Sequence, residues 1–185
     1  MGYTVFLDRD GVINKDAVGY IKNPSEFEFI PKSREAIALL TQNGFKVIVI
    51  TNQSMIGRNI STKKALDAIF KKMKTGVETA GGRITDIFYC PHAPEDHCSC
   101  RKPKPGLIFQ AQKKYQINLA RSFMVGDSEK DIACARTAGC ANAVLVKTGN
   151  GTAAYHELGQ NHMALDYFAE DLYDAACWII DATKR

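Results

Sequence analysis

The stretch Tyr3-Thr4-Val5-Phe6-Leu7-Asp8-Arg9-Asp10-Gly11 decides the fold, because an apolar run of strand length stops abruptly at two carboxylates and a glycine. Five residues rich in β-branched and aromatic side chains read as a buried strand. Strands that are apolar on both faces belong to parallel sheets covered by helices on two sides. Such sheets bind their ligands in a crevice at the carboxyl ends of the strands. Asp8 and Asp10 would stand at that edge and, by the two-residue period of extended chain, point the same way.

Outward from this stretch, similar runs occupy residues 47–50, 84–89, 123–125 and 143–146. Helical patterns lie between them over residues 32–43, 62–80, 105–115 and 129–138, and Gly44, Gly81 and Gly139 supply stops. A last helix is expected over about residues 169–183. The alternation predicts an α/β fold, a Rossmann-like parallel sheet with helices on both faces. The chain has 185 residues, of which 45% are hydrophobic, enough for one sizeable core, so we expect a single domain over residues 1–185. Two irregular segments, 11–31 and 91–103, should overhang the crevice, and neither is long enough to form a separate cap domain.

No apolar run approaches the ~20 residues that span a bilayer, and the amino end enters a strand at once, so a cytoplasmic protein without membrane association is expected. A formal net charge of +4 favours an anionic partner. Lys and Arg are scattered, however, without a dense basic block, which points to a small phosphorylated molecule and away from nucleic acid. Of six cysteines, Cys134, Cys140 and Cys177 sit in apolar segments as filling. The others crowd one loop, Cys90-Pro91-His92-Ala93-Pro94-Glu95-Asp96-His97-Cys98-Ser99-Cys100. Three thiols and an imidazole at this spacing call for zinc. Cys90, His92, Cys98 and Cys100 can fill all four tetrahedral positions, which makes the zinc structural; His97, directly before Cys98, is expected to face solvent.

Two carboxylates at the spacing of Asp8 and Asp10 repel unless a cation or proton intervenes. Taken alone they could form an acidic turn with Gly11. A further acid, Asp127, follows Val125-Gly126 at the end of another strand, although alone it could cap the next helix. Carboxylates from separate strands suit magnesium, which keeps waters and leaves room for a substrate phosphate. Ile50-Thr51-Asn52-Gln53-Ser54 brings a hydroxyl and backbone N–H groups to the same edge, and Arg101-Lys102 offers positive charge.

Together, Asp8-x-Asp10-Gly11, Thr51-Asn52, Lys102 and Gly126-Asp127 resemble, in order, the four motifs of the haloacid dehalogenase superfamily, over essentially the whole chain. The resemblance implies a phosphatase in which Asp8 attacks phosphorus and Asp10 serves as acid, then base. It implies magnesium held by Asp8, the backbone carbonyl of Asp10 and Asp127, with Asp131 as outer support. Thr51, the Asn52 backbone and Lys102 would bind the transferring group. The loop pattern C-P-H…C-x-C-R-K-P resembles a group that includes heptose 1,7-bisphosphate phosphatases and histidinol-phosphate phosphatases. The segments 8–14, 19–21, 27–31 and 51–54 are more similar to the heptose enzymes, whereas the short zinc spacing fits both, and Met55 departs from the glycine usual in the heptose family. By that resemblance Asp16, Gly19, Tyr20, Asn52, Gln53, Ser54 and Arg101 would line the substrate side of a monomer that hydrolyses the 7-phosphate on the way to nucleotide-activated heptose for lipopolysaccharide. The alternatives are a histidinol-phosphate phosphatase, a DNA 3′-phosphatase-like enzyme lacking a clear basic groove, and a zinc-stabilised nucleic-acid-binding protein, which leaves the four motifs unexplained.

Overall fold

In the computed structural model, which describes residues 2–184, six parallel strands run through the middle of the molecule. They are β1 (Thr4–Leu7), β2 (Lys46–Asn52), β3 (Asp86–Cys90), β4 (Ser122–Gly126), β5 (Asn142–Val146) and β6 (Tyr167–Ala169). Their order in space is β3-β2-β1-β4-β5-β6. The helices are α1 (Ser33–Gln42), α2 (Lys63–Thr79), α3 (Gly106–Tyr115), α4 (Glu129–Ala138), α5 (Gly151–Gln160) and α6 (Leu172–Ala182).

The two-residue period of β1 divides the core. Val5 and Leu7 pack with Ile37 and Leu40 of α1, Leu66 and Ile69 of α2 and Ile179 of α6. Phe6 faces the other way, toward Leu107 and Ile108 of α3, Ile132 of α4 and Leu158 of α5. All of these side chains are at most 2% exposed, so the sheet is covered on both faces, as its uninterrupted apolar strands require. Among the described residues no helix is long and apolar enough to cross a membrane.

Two elements were not anticipated from the sequence. β6 is three residues long, and α5 buries only Gly151, Ala154 and Leu158, too narrow a stripe to show a helical period. The final helix accordingly starts at Leu172, after β6, with Asp171 as its cap accepting the Asp174 N–H at 2.9 Å.

Register places the chemistry. Leu7 lies opposite Val49 in β2 and Val125 in β4, so Asp8 emerges between two neighbouring strand ends. The Asp8 N–H continues the ladder by donating to the Val125 carbonyl at 3.0 Å, and that bond fixes the point where the side chain leaves the sheet. Beyond it, the Gly11, Ile13 and Asn14 backbones close a tight turn on Arg9 and Asn14 carbonyls. Gly11 has φ +78°, and a side chain there would meet the Asp127 carboxylate.

Candidate active site

Three carboxylates meet at the ends of β1 and β4. One oxygen each from Asp8, Asp127 and Asp131 lies within 4.8 Å of the others. Asp131 is fully buried on α4, where Ser128 donates to it at 2.6 Å in a capping box, so helix capping and the site share one side chain. Gly126 makes room for that side chain, since a Cβ would collide with it. The Lys102 ammonium, 3% exposed, sits among the acids, 2.8 Å from Asp8, 2.6 Å from Asp131 and 3.0 Å from the Ile50 carbonyl.

One lysine cannot balance three carboxylates. Burial, reinforced by Asp131 and Asp10 and opposed by Lys102, pushes Asp8 up to about 7. Burial and the Asp8 and Asp131 charges push Asp127 up to about 8. Burial alone would lower Lys102, but Asp131 and Asp8 outweigh it and hold the ammonium above its ordinary value. The trio therefore fits a divalent cation, whose charge and oxygen preference match what these groups lack.

The remaining residues surround a crevice of about 400 Å³. Asp8, Asp10, Asp16, Tyr20, Thr51, Asn52, Ser54, Arg101 and Lys102, all singled out from sequence, line it, together with Asp127 and Asp131. Gly19 lies in the same loop but outside the lining, and Gln53 is turned inward, 2% exposed, donating to Thr51 Oγ1 at 2.8 Å and to Asp10 Oδ2 at 3.0 Å. The Asn52 side chain holds the Lys102 backbone on both sides, accepting its N–H and donating to its carbonyl, each at 3.1 Å. The Tyr20 hydroxyl meets Ser54 Oγ at 3.3 Å and links the two loops across the mouth.

Sequence reasoning missed the β5–α5 loop. Asn150 donates its backbone N–H to Asp127 Oδ2 at 2.9 Å, and Thr148 donates to the Gly11 carbonyl at 2.6 Å, so this loop braces both a carboxylate and the turn beside it. Its Thr148-Gly149-Asn150-Gly151 sequence carries only a generic turn signal. Ser128 and Lys130 also line the crevice.

The second cluster is Cys90, His92, Cys98 and Cys100. Cys100 Sγ lies 3.3 Å from Cys90 Sγ, 3.5 Å from Cys98 Sγ and 3.4 Å from His92 Nδ1, and Cys90 Sγ lies 3.5 Å and 3.6 Å from Cys98 Sγ and His92 Nδ1. Those edges are far too long for a disulfide and close to the ~3.7 Å edge of a tetrahedron with metal–sulfur bonds of about 2.3 Å. Burial and the Cys100 thiol push Cys90 up to about 12, whereas burial at Cys98 is overcome by the N–H of Arg101 and the neighbouring thiols, which bring it down to about 6. The cluster can bind zinc with no position left open, and His97 stays exposed outside it. Arg101 Nη1 donates to the His92 carbonyl at 3.1 Å, and Lys104 Nζ to the His97 and Cys98 carbonyls at 3.0 and 2.9 Å, which fastens the loop to the basic segment.

A family model for HAD-hydrolase-like proteins matches residues 99–175. The D-glycero-beta-D-manno-heptose-1,7-bisphosphate 7-phosphatase of Bordetella bronchiseptica is 44% identical over 147 residues, covering 80% of this chain and 82% of that protein. The protein of the same name from Pseudomonas aeruginosa is 47% identical over 147 residues, with the same coverage of both chains. Among solved structures, the D,D-heptose 1,7-bisphosphate phosphatase of B. bronchiseptica complexed with magnesium and phosphate superimposes with a TM-score of 0.91 at 38% identity, covering 97% of this chain and 99% of that one.

Proposed function

Since this chain belongs to the HAD-like hydrolases, in the family of the D-glycero-D-manno-heptose 1,7-bisphosphate 7-phosphatases, we propose that it hydrolyses the 7-phosphate of that bisphosphate through a phosphoaspartate on Asp8. The observation that carries the mechanism is Asp8 at the floor of an open crevice, 2.8 Å from a buried lysine and beside a second, more exposed acid, Asp10. An Asp8 oxygen attacks phosphorus while the bond from phosphorus to the sugar oxygen breaks, and Asp10 gives its proton to the departing alkoxide. A water then attacks phosphorus and loses a proton to Asp10, the bond to Asp8 breaks, and inorganic phosphate leaves with Asp8 restored. Lys102, Thr51 and the Asn52 backbone hold the phosphoryl oxygens as charge builds on them. Asp8, the Asp10 carbonyl and Asp127, with Asp131 behind them, would hold magnesium, which would supply the positive charge that one lysine cannot. The zinc cluster takes no part in the bond changes.

Asp16, Tyr20, Ser54 and Arg101 form the sugar and distal-phosphate side, where the Arg101 guanidinium suits a second phosphate. The names of the two relatives support the β-anomer as the preferred form. We read the chain as one domain, in keeping with a single sheet and its two helical layers, and as a monomer working in the cytoplasm. The test is phosphate release from both heptose bisphosphate anomers and from histidinol phosphate at subsaturating concentration. We expect kcat/KM for the β-anomer to exceed that for histidinol phosphate at least about a hundredfold, the scale of one charged contact. Preference for histidinol phosphate would overturn the substrate assignment and leave the phosphoaspartate chemistry standing.

A further inference from the structure

Arg9 lies between the two catalytic acids in sequence, yet its side chain belongs to neither the crevice nor the surface. It is 1% exposed, the largest fully buried side chain among the described residues. Its guanidinium stands 6.0 Å from the centre of the Phe70 ring on α2 and reaches back under Asp10. Nε donates to Asp10 Oδ1 at 3.0 Å, and Nη2 donates to Oδ1 at 2.6 Å and Oδ2 at 2.7 Å. Two neutral donors complete the cradle, Asn14 Nδ2 to Oδ1 at 2.9 Å and Gln53 Nε2 to Oδ2 at 3.0 Å. The carboxylate keeps 21% exposure, on its crevice side.

Stability alone gives little reason for such a cation. A buried ion pair is often no better than apolar residues of the same volume, and Asp10 is the one acid in ion-pair contact with Arg9 among the described residues. What the fork supplies is orientation. A carboxylate held by donors on both oxygens has its plane fixed, with its exposed side turned to the crevice. Gln53 also donates to Thr51, so the phosphate-binding hydroxyl and the proton-transfer group share one hydrogen-bond network.

We infer that Arg9, assisted by Asn14 and Gln53, is a positioning residue that aims Asp10 at the sugar oxygen leaving phosphorus. The inference rests on the proposed acid role of Asp10. Arg9→Lys keeps the charge and removes the fork. In the magnesium- and zinc-loaded enzyme we expect kcat for the heptose bisphosphate, an alkyl ester, to fall at least about tenfold with KM within about twofold. For p-nitrophenyl phosphate, whose leaving group scarcely needs a proton, the fall should stay under about threefold. Added to Asp10→Asn, Arg9→Lys should cost nothing more. Equal losses on the two esters, or a further loss in the double variant, would overturn the inference. Asp10→Asn separates two failures: if it treats both esters alike, the acid role goes and this inference with it. If it does not while Arg9→Lys does, only the aiming role falls. Thermal unfolding monitors the fold, and should Arg9→Lys not fold, Asn14→Leu, which removes one donor from Oδ1 and leaves the Thr51 contact intact, must show the same inequality.

Discussion

Lys102→Met tests the electrostatics of the site most directly. The ammonium is the one cation within ion-pair distance of Asp8 and Asp131 among the described residues, and methionine fills most of its volume without charge. Removing one partner from a buried ion pair costs about 3 to 5 kcal/mol. Asp8 and Asp127 are already pushed up to about 7 and about 8, so near neutral pH they can take up protons in place of the lost charge, which places the cost at the lower end, about 3 kcal/mol. For a domain of this size that corresponds to a fall in Tm of roughly 6 to 12 °C. Saturating magnesium should return a substantial part of it, since the ion binds the same carboxylates and only in the folded state. Hydrolysis should fall at least about a hundredfold even with magnesium, because the cation proposed to hold the transferring phosphoryl group is gone. The assay is thermal unfolding by circular dichroism with and without magnesium, beside steady-state phosphate release. A metal-free Tm within about 2 °C of wild type, or activity within tenfold, would refute the account of Lys102 as the balancing charge.

Asp8→Asn should fold normally and retain less than about one part in a thousand of the activity, with no acid-stable phosphoprotein trapped on rapid quenching; a trapped intermediate in that variant would move the nucleophile elsewhere. Elemental analysis of washed protein should find one zinc per chain, lost in Cys98→Ala. Because Asn52 holds the Lys102 backbone independently while Arg101 is tied to the zinc loop, that variant should lose more activity on the bisphosphate than on p-nitrophenyl phosphate, and equal losses would sink the distinction. Burial would raise Asp86, but Lys114, the Ile87 N–H and Tyr115 hold it below its ordinary 3.8. A depressed carboxylate stabilises the fold above its unfolded value and ceases to as the pH falls through its folded one. Asp86→Asn should therefore cost about 1 kcal/mol at neutral pH, and the gap from wild type should close below about pH 4; a gap unchanged at low pH would refute the ion-pair origin.

Much of the site could be read from the sequence because its chemistry sits where strands stop. The break from Leu7 to Asp8, and the matching one from Val125 to Asp127, are changes of composition that need no tertiary knowledge. What escaped depends on chain segments far apart. Nothing in Thr148-Gly149-Asn150 marks Asn150 as a partner of Asp127, because that bond exists only once β4 and β5 lie side by side. Gln53 reads as a loop polar residue facing substrate, and only packing against Thr51 and Asp10 turns it inward. Arg9 is the sharpest case, since strand alternation sends residue 9 away from residues 8 and 10 and gives no sign that a long side chain will curl back beneath its neighbour. Asp131, read from sequence as an outer support, has a carboxylate oxygen within 4.8 Å of those of Asp8 and Asp127, because the first turn of α4 brings a capping acid to the cluster.

The central place of β1, between β2 and β4, has a bearing on how the protein is made. During synthesis the first strand leaves the ribosome with one neighbour soon behind it, but its other edge waits for residues 122–126. Until then a nascent sheet of β3, β2 and β1 presents Thr4–Leu7 as a bare hydrophobic border, the kind of edge that sticks to other chains. The pairing that covers it is also the one that brings Asp127 beside Asp8, so closing the border and assembling the carboxylate cluster both depend on β4. A chain that ends before β4 would lack both the cover for this border and the Asp127 and Asp131 carboxylates.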